Sequence, residues 1–201
     1  MAAVIRALSD PGGGETDADI IRLSEREPER FAAIFDRHYA EIHGYVARRL
    51  GPSLADDVAA ETFLVAFDRR GGYDAARSSA RPWLYGIASN LVARYRRAEG
   101  RQYKALARVG LDDTVDGHAD RVVVRLDAEA TRGRLAAALA AIAPGDRDVL
   151  LLIAWAGLSG DEAAEALAIP AGTARSRLHR ARRKLRAALG GADPTTVGED
   201  A

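Results

Sequence analysis

The segment 158–189, LSGDEAAEALAIPAGTARSRLHRARRKLRAAL, constrains this chain more than any other: it reads as a helix, a tight break and a second helix dense in arginine. Ser159 followed by Glu162 has capping-box spacing, in which each residue satisfies a backbone donor at a helix start. Asp161 and Glu162 also put negative charge in the first turn, where the helix dipole favours it. Ile169-Pro170-Ala171-Gly172 then interrupts the helix, because proline disfavours helical geometry in the residue before it. From Thr173 to Leu189, the residues Ala174, Leu178, Ala181, Leu185 and Leu189 fall on one apolar stripe. Seven cations and no acid share that helix. A capped short helix, a sharp break and a basic amphipathic helix make a helix-turn-helix, whose second helix can enter a major groove. The competing reading is a basic face that is merely solvated or meets RNA or a membrane. This helix lacks the large aromatic or leucine-rich face that an interfacial helix uses.

Charge distribution says more than net charge, since 29 basic and 29 acidic residues leave the chain formally neutral. Residues 94–108 carry Arg94, Arg96, Arg97, Arg101, Lys104 and Arg108 against Glu99 alone, and residues 112–129 are mostly acidic. A second basic block follows at 175–186, so two nucleic-acid-contacting modules separated by an acidic spacer are expected. The absence of cysteine excludes disulfides and thiolate metal sites. No apolar run approaches the ~20 residues that cross a bilayer, and the N-terminus has no signal-peptide core. A cytoplasmic chain without membrane insertion is expected.

The rest of the pattern is helical, with no convincing alternating strand. Residues 1–16, with Pro11-Gly12-Gly13-Gly14, are expected as a flexible tail. Phe31, Ile34, Phe35, His38, Tyr39, Ile42, Tyr45, Val46 and Leu50 recur at three- and four-residue spacing and predict a long core-facing helix, stopped by Gly51-Pro52. A helix from Ser53 or Asp56 carries Val58, Phe63, Leu64 and Phe67, and another opens at Pro82. These make a first helical domain, 17–97. Residues 98–129 have little apolar periodicity and are expected as a linker. A second domain, 130–189, is expected from Leu135, Leu139 and Ile142, a turn at Pro144-Gly145, a helix over Val149–Ala156, and the helix-turn-helix. Residues 190–201 are expected as a C-terminal tail without a further domain. The fold class is all-α, two small helical domains joined by a flexible linker.

The residues are then recognisable. DDVAAETFLVAF (56–67) with ARPWLYGIASNLVARYRR (80–97), and the 158–189 block with IPAGTARSRLHRARRKLR, resemble the extracytoplasmic-function subgroup of the sigma-70 family, promoter-specificity subunits of bacterial RNA polymerase. The similarity spans 17–189. Ala60 stands where the family usually has glutamine, Phe67 where it often has tryptophan, and Ala174 where valine is common. The resemblance implies a non-catalytic initiation factor without cofactor or metal. Its first domain would grip core polymerase at the β′ clamp helices and open DNA near −10. Its second would read the −35 element and lie at the β flap. An anti-sigma protein is a further implied partner.

Each group of residues has its own physical logic. Asp57 and Glu61 share a helix face, and by the resemblance this face, with Asp56, Thr62 and Phe63, docks on polymerase. The helical spacing of Phe63 and Phe67 also fits core packing. An enzyme reading would make Asp56, Asp57 and Glu61 metal ligands, but no nucleophile, base or further ligand set accompanies them. Strand opening needs stacking platforms and cations, and the stretch from 73 to 97 supplies Tyr73, Arg77, Arg81, Trp83, Tyr85, Asn90, Arg94, Arg96 and Arg97. The 71–80 loop resembles the family's pocket for a flipped −10 base, with Ser78 and Ser79 as hydrogen-bonding groups. Docking geometry assigns Arg175, Ser176, His179 and Arg180 to −35 bases, Arg177, Arg182, Arg183 and Lys184 to phosphates, and Thr173 to a cap or backbone contact. The alternative is a stand-alone helix-turn-helix regulator whose first domain dimerises.

Overall fold

The computed structural model describes residues 15–77, 79–109 and 131–189, and every regular element among them is helical. The expected linker segment 110–130, the tail beyond 189, residues 1–14 and Ser78 lie outside the described residues. Thr16 starts the first helix, its hydroxyl accepting from the Asp19 N–H at 3.2 Å, with Asp17 and Asp19 in the first turn of α1 (Asp17–Ser24). A single 3₁₀ turn at Pro28–Phe31 leads into α2 (Ala32–Leu50). Its buried set, Ile34, His38, Ile42, Tyr45, Val46, Arg49 and Leu50, follows the spacing that the sequence displays. Gly51 ends it with φ of 87°, a left-handed backbone that glycine adopts without steric cost, and Pro52 at once opens α3 (Pro52–Arg69).

The helix α4 (Arg81–Arg94) is buried nearly all round, through Leu84, Tyr85, Ile87, Ala88, Ser89, Leu91 and Val92. A helix without a polar face must be covered on every side. Here α2 and α3 cover it from within the first unit, and α8 covers it from the second. The second unit comprises α6 (131–141), α7 (Pro144–Ala154), α8 (Gly160–Ala166) and α9 (Ala171–Ala188), with α7, α8 and α9 packed pairwise. One continuous apolar cluster takes members from both units, from Ile20 and Ile42 through Tyr103 to Ile142, Leu152 and Leu185.

Residues 98–109, expected as linker, instead continue as α5 (Arg96–Val109). Its inward face is one turn of Glu99 and Tyr103, both almost fully buried. Apolar periodicity misses such a helix because one of its two buried residues is a carboxylate. Glu99 is tolerated inside because Arg49 Nε donates to it at 2.6 Å and Arg147 Nη1 lies 2.9 Å from its second oxygen. The first unit therefore runs past 97, to the end of α5. No helix among the described residues is long and apolar enough to cross a membrane.

Candidate nucleic-acid interface

The helix-turn-helix forms with both halves of its capping box: Ser159 Oγ accepts from the Glu162 N–H at 3.2 Å, and Glu162 Oε2 accepts from the Ser159 N–H at 2.7 Å. The break is earlier than the sequence indicates. It occupies Leu167–Pro170, and Ala171 and Gly172 already belong to α9. Ala168 turns the chain at φ of 50°, where an alanine is strained and a glycine would not be. Ala174, Ala181 and Leu185 are buried, and Leu178 is half-buried. Arg175, Ser176, His179, Arg183 and Lys184 are exposed on the other side, with Thr173 half-buried at the start.

Three of the basic residues are not freely presented. Arg180 holds Asp146 with both ends of its guanidinium, Nε at 3.0 Å and Nη2 at 2.8 Å, and this hydrogen bonding keeps the Asp146 carboxyl below the usual carboxylate range. Arg177 lies against the backbone at Gly145. Arg182 is half-buried, its Nε enclosed without a hydrogen-bond partner. The expected base-reading role of Arg180 would therefore require it to leave Asp146.

In the first unit, Tyr73 and Trp83 pack with ring centroids 5.1 Å apart, and the Tyr73 hydroxyl donates to the Arg77 carbonyl at 2.8 Å. With Asn90 they border a cavity of about 310 Å³, of the size and lining that takes one flat aromatic group. Ser79 is half-buried nearby, its hydroxyl accepting from the Arg81 N–H. Arg96 and Arg97 are exposed, and so is Arg94, which pairs with Glu61 at 3.0 Å. Tyr85, expected as a stacking surface, is a core residue. It is 1% exposed, packs edge-on against Tyr45 and donates to Glu41. Arg81 is also held, by Glu41 and by the Ala156 carbonyl at 2.6 Å.

A buried network missed by sequence reading fixes the start of α4. One Asp17 oxygen accepts from the Ala80 N–H and from His38 Nε2, each at 2.8 Å, and His38 Nδ1 lies 2.8 Å from Glu41. Burial opposes charge on both groups, yet their hydrogen bonds outweigh it. His38 is carried up to about 9, and Asp17, bonded to His38, Ala80 and Arg37, is held down to about 2. A histidine raised above its ordinary 6.5 stabilises the fold fully below that pH and loses the contribution as pH rises through about 9. A carboxyl lowered from 3.8 contributes above that pH and loses it as pH falls through about 2. Both describe one interaction, so stability is expected to be flat between about pH 4 and 6.5 and to fall on either side. The expected decline toward pH 9 is a few kcal/mol in order of magnitude. Urea unfolding across pH checks this, and His38→Gln should flatten the alkaline limb.

On the outer face of α2 and α3, Asp56 and Asp57 are exposed, with Asp56 2.9 Å from His43 Nε2. Thr62 and Phe63, expected as contacts, point inward: Thr62 is fully buried and donates back to the Val58 carbonyl, and Phe63 is 4% exposed. The exposed large apolar side chains of these two helices are instead Leu64, 66% exposed on the α3 face of Asp57 and Glu61, and Phe35, 39% exposed on α2, both of which periodicity assigns to the core. Phe35 stacks on Tyr39 at 4.7 Å and meets the Phe63 edge at 5.0 Å. The signal available in sequence was that 57, 61 and 64 share one helical face.

Residues 34–102 match the family described as Sigma-70 region 2, and residues 132–185 match Sigma-70, region 4. The chain is 31% identical over 158 residues to the ECF RNA polymerase sigma factor SigL of Mycobacterium tuberculosis, covering 78% of this chain and 87% of that one. It is 29% identical over 180 residues to the ECF RNA polymerase sigma factor SigK of Mycolicibacterium vanbaalenii, covering 88% and 90%. Among solved structures, the fold resembles CnrH in complex with the cytosolic domain of CnrY, with a TM-score of 0.61, 23% identity and coverage of 87% and 97%. It also resembles the sigma factor RpoE in complex with the anti-sigma factor NepR from Bartonella quintana, with a TM-score of 0.54, 22% identity and coverage of 80% and 96%.

Proposed function

The chain belongs to the extracytoplasmic-function subgroup of the sigma-70 family of RNA polymerase sigma factors, and we propose that its two helical units divide the promoter between them. As a sigma factor it is an initiation factor that directs core polymerase to −35 and −10 elements, and it acts in the cytoplasm, where that enzyme works. The observation that carries the division of labour is one of order. The region 2 match falls on the unit with the aromatic cavity, and the region 4 match on the unit with the basic helix.

In this reading, Asp57, Glu61 and Leu64 of α3, with Phe35 of α2, meet the β′ clamp helices. Tyr73, Trp83 and Asn90 take an unstacked −10 base, with Arg96 and Arg97 on the displaced backbone. The exposed N-terminal turns of α9 read the −35 bases through Arg175, Ser176 and His179, while Arg183 and Lys184 hold phosphate. The second unit also lies at the β flap, and an anti-sigma protein regulates the chain. Support for that last partner is the fold shared with a sigma factor solved in such a complex. A stand-alone regulator would account for residues 158–189 but leaves the region 2 match without a purpose.

Co-migration on gel filtration with core polymerase tests the reading. A complex is expected, whereas a free dimer with a symmetric DNA footprint would replace it with the regulator. In the polymerase complex, Arg183→Ala with Lys184→Ala is expected to weaken binding to all sequences alike and to lower the salt slope by about 2, roughly one per phosphate contact. Arg175→Ala is expected to relax preference at one −35 base pair by about 1–3 kcal/mol. Filter binding across a salt series separates the two classes.

A further inference from the structure

From Thr173 to Leu189 the chain carries seven cations and no acid, a composition attracted to the phosphates of any duplex. An acid is supplied from a neighbouring helix. Arg177, Arg180 and Lys184 follow one another at three and four residues, so they form one ridge along the flank of α9. Asp146, in the first turn of α7 and 6% exposed, meets that ridge and is gripped by Arg180 through both Nε and Nη2. Hydrogen bonding with Arg180 lowers the Asp146 carboxyl, and the charges of Arg180, Arg177 and Lys184 lower it further. Among the described residues, Arg180 is the only cation of α9 in an ion pair.

The carboxylate is a fixed point. Asp146 and Arg147 both donate their backbone N–H groups to the Ala143 carbonyl at the start of α7, at 3.0 and 2.9 Å. Arg147 ties that turn down further, through the Ile142 carbonyl at 2.9 Å and through Glu99 of α5. A place in the first turn favours the negative charge of Asp146. Gly145 beside it leaves room for Arg177, whose Nη1 lies 3.0 Å from where a Cβ would stand. A two-point pair on an anchored partner holds a guanidinium in one place. The pair is also electrically neutral, so it displaces no counterion from DNA. With 48% of its side chain exposed, Arg180 is open to a phosphate once the pair is broken.

Resting on the sigma-factor reading, we propose that Asp146 is a positioning residue for −35 selectivity: it withholds Arg180 from DNA, so that α9 meets the duplex through Arg175, Ser176 and His179 with one indiscriminate phosphate contact fewer. Every duplex offers phosphates, and contacts to them carry no sequence information. On the −35 element the base contacts fix the register of α9, and a freed Arg180 gains little. On unrelated DNA the helix shifts until that arginine finds a phosphate, so wrong sites gain more than the right one.

Asp146→Asn, which keeps the volume and removes the charge, tests this in the full-length chain bound to core polymerase. Two fluorescent duplexes are compared, one with the −35 element that the mapped start sites share and one with that element shuffled. On the shuffled duplex the salt slope should steepen by about 1, and affinity should rise about eightfold at roughly 0.1 M salt, the gain from one phosphate contact. On the −35 duplex affinity should change less than about twofold. Adding Arg180→Ala to Asp146→Asn should return the slope and affinity on shuffled DNA to those of the parent, which lost packing around Asp146 would not do. Arg180→Lys keeps the charge but cannot grip both carboxylate oxygens. It should move selectivity the same way, and it decides the matter if Asp146→Asn does not fold. Slope and preference unchanged in Asp146→Asn, or changes that persist once Arg180 is also removed, overturn the role of Asp146. A preference lost at a single −35 base pair in Arg180→Ala alone overturns it too, by making Arg180 a base reader. In each of these cases promoter-specific transcription by the parent upholds the sigma reading. A parent chain that never joins core polymerase removes that reading and this one together.

Discussion

Leu64→Glu is expected to weaken binding to core RNA polymerase by about 2 kcal/mol or more, the range of an interface hot spot, which is roughly thirty-fold in Kd. Stability should hardly change, because the side chain is two-thirds exposed. Leu64 is an exposed leucine on the α3 face that also carries Asp57 and Glu61, and an isolated monomer gains nothing by keeping it wet. Substitution of the neighbouring Phe63, which is buried, should instead cost stability first and binding only as a consequence. Thermal melting combined with a polymerase binding titration separates the two cases.

Ile42→Ala is expected to cost about 2–5 kcal/mol, because a fully buried aliphatic chain leaves a cavity among neighbours that relax only in part. For a chain of this size that lowers Tm by roughly 5–15 °C. The apolar cluster runs unbroken from the first unit into the second, so the parent should melt in one transition. Substitution at position 42 should pull down the helix-turn-helix with it, although Ile42 lies on α2. Near-ultraviolet circular dichroism of Trp83 and Trp155, one in each unit, would reveal two separate transitions if the units melted independently.

Much of this was legible in the chain itself. The stripe Ala174, Leu178, Ala181 and Leu185 and the Ser159–Glu162 box gave the helix-turn-helix because cap and periodicity are local. The stop at Gly51-Pro52 was legible for the same reason. What escaped was non-local. α5 looked structureless because one of the two residues it buries is Glu99, whose partners Arg49 and Arg147 are remote in sequence. Tyr85 looked like a stacking surface because its acceptor, Glu41, lies on another helix.

Two residues of the docking motif, Thr62 and Phe63, are buried for a local reason. A contiguous motif is not a contiguous surface: a helix turns Thr62 and Phe63 inward and Glu61 and Leu64 outward within four residues. The crossing of α8 over α4 left only one trace, Gly86, and the absence of a side chain does not announce what fills its place.

On this account the chain lends promoter specificity to core RNA polymerase. Run-off transcription with purified core enzyme on fragmented genomic DNA, followed by mapping of the 5′ ends, tests it most directly. The account predicts transcripts that begin downstream of one shared pair of −35 and −10 elements and that vanish when the chain is omitted. The same transcripts from core enzyme alone, or none in the presence of a folded chain, would contradict it.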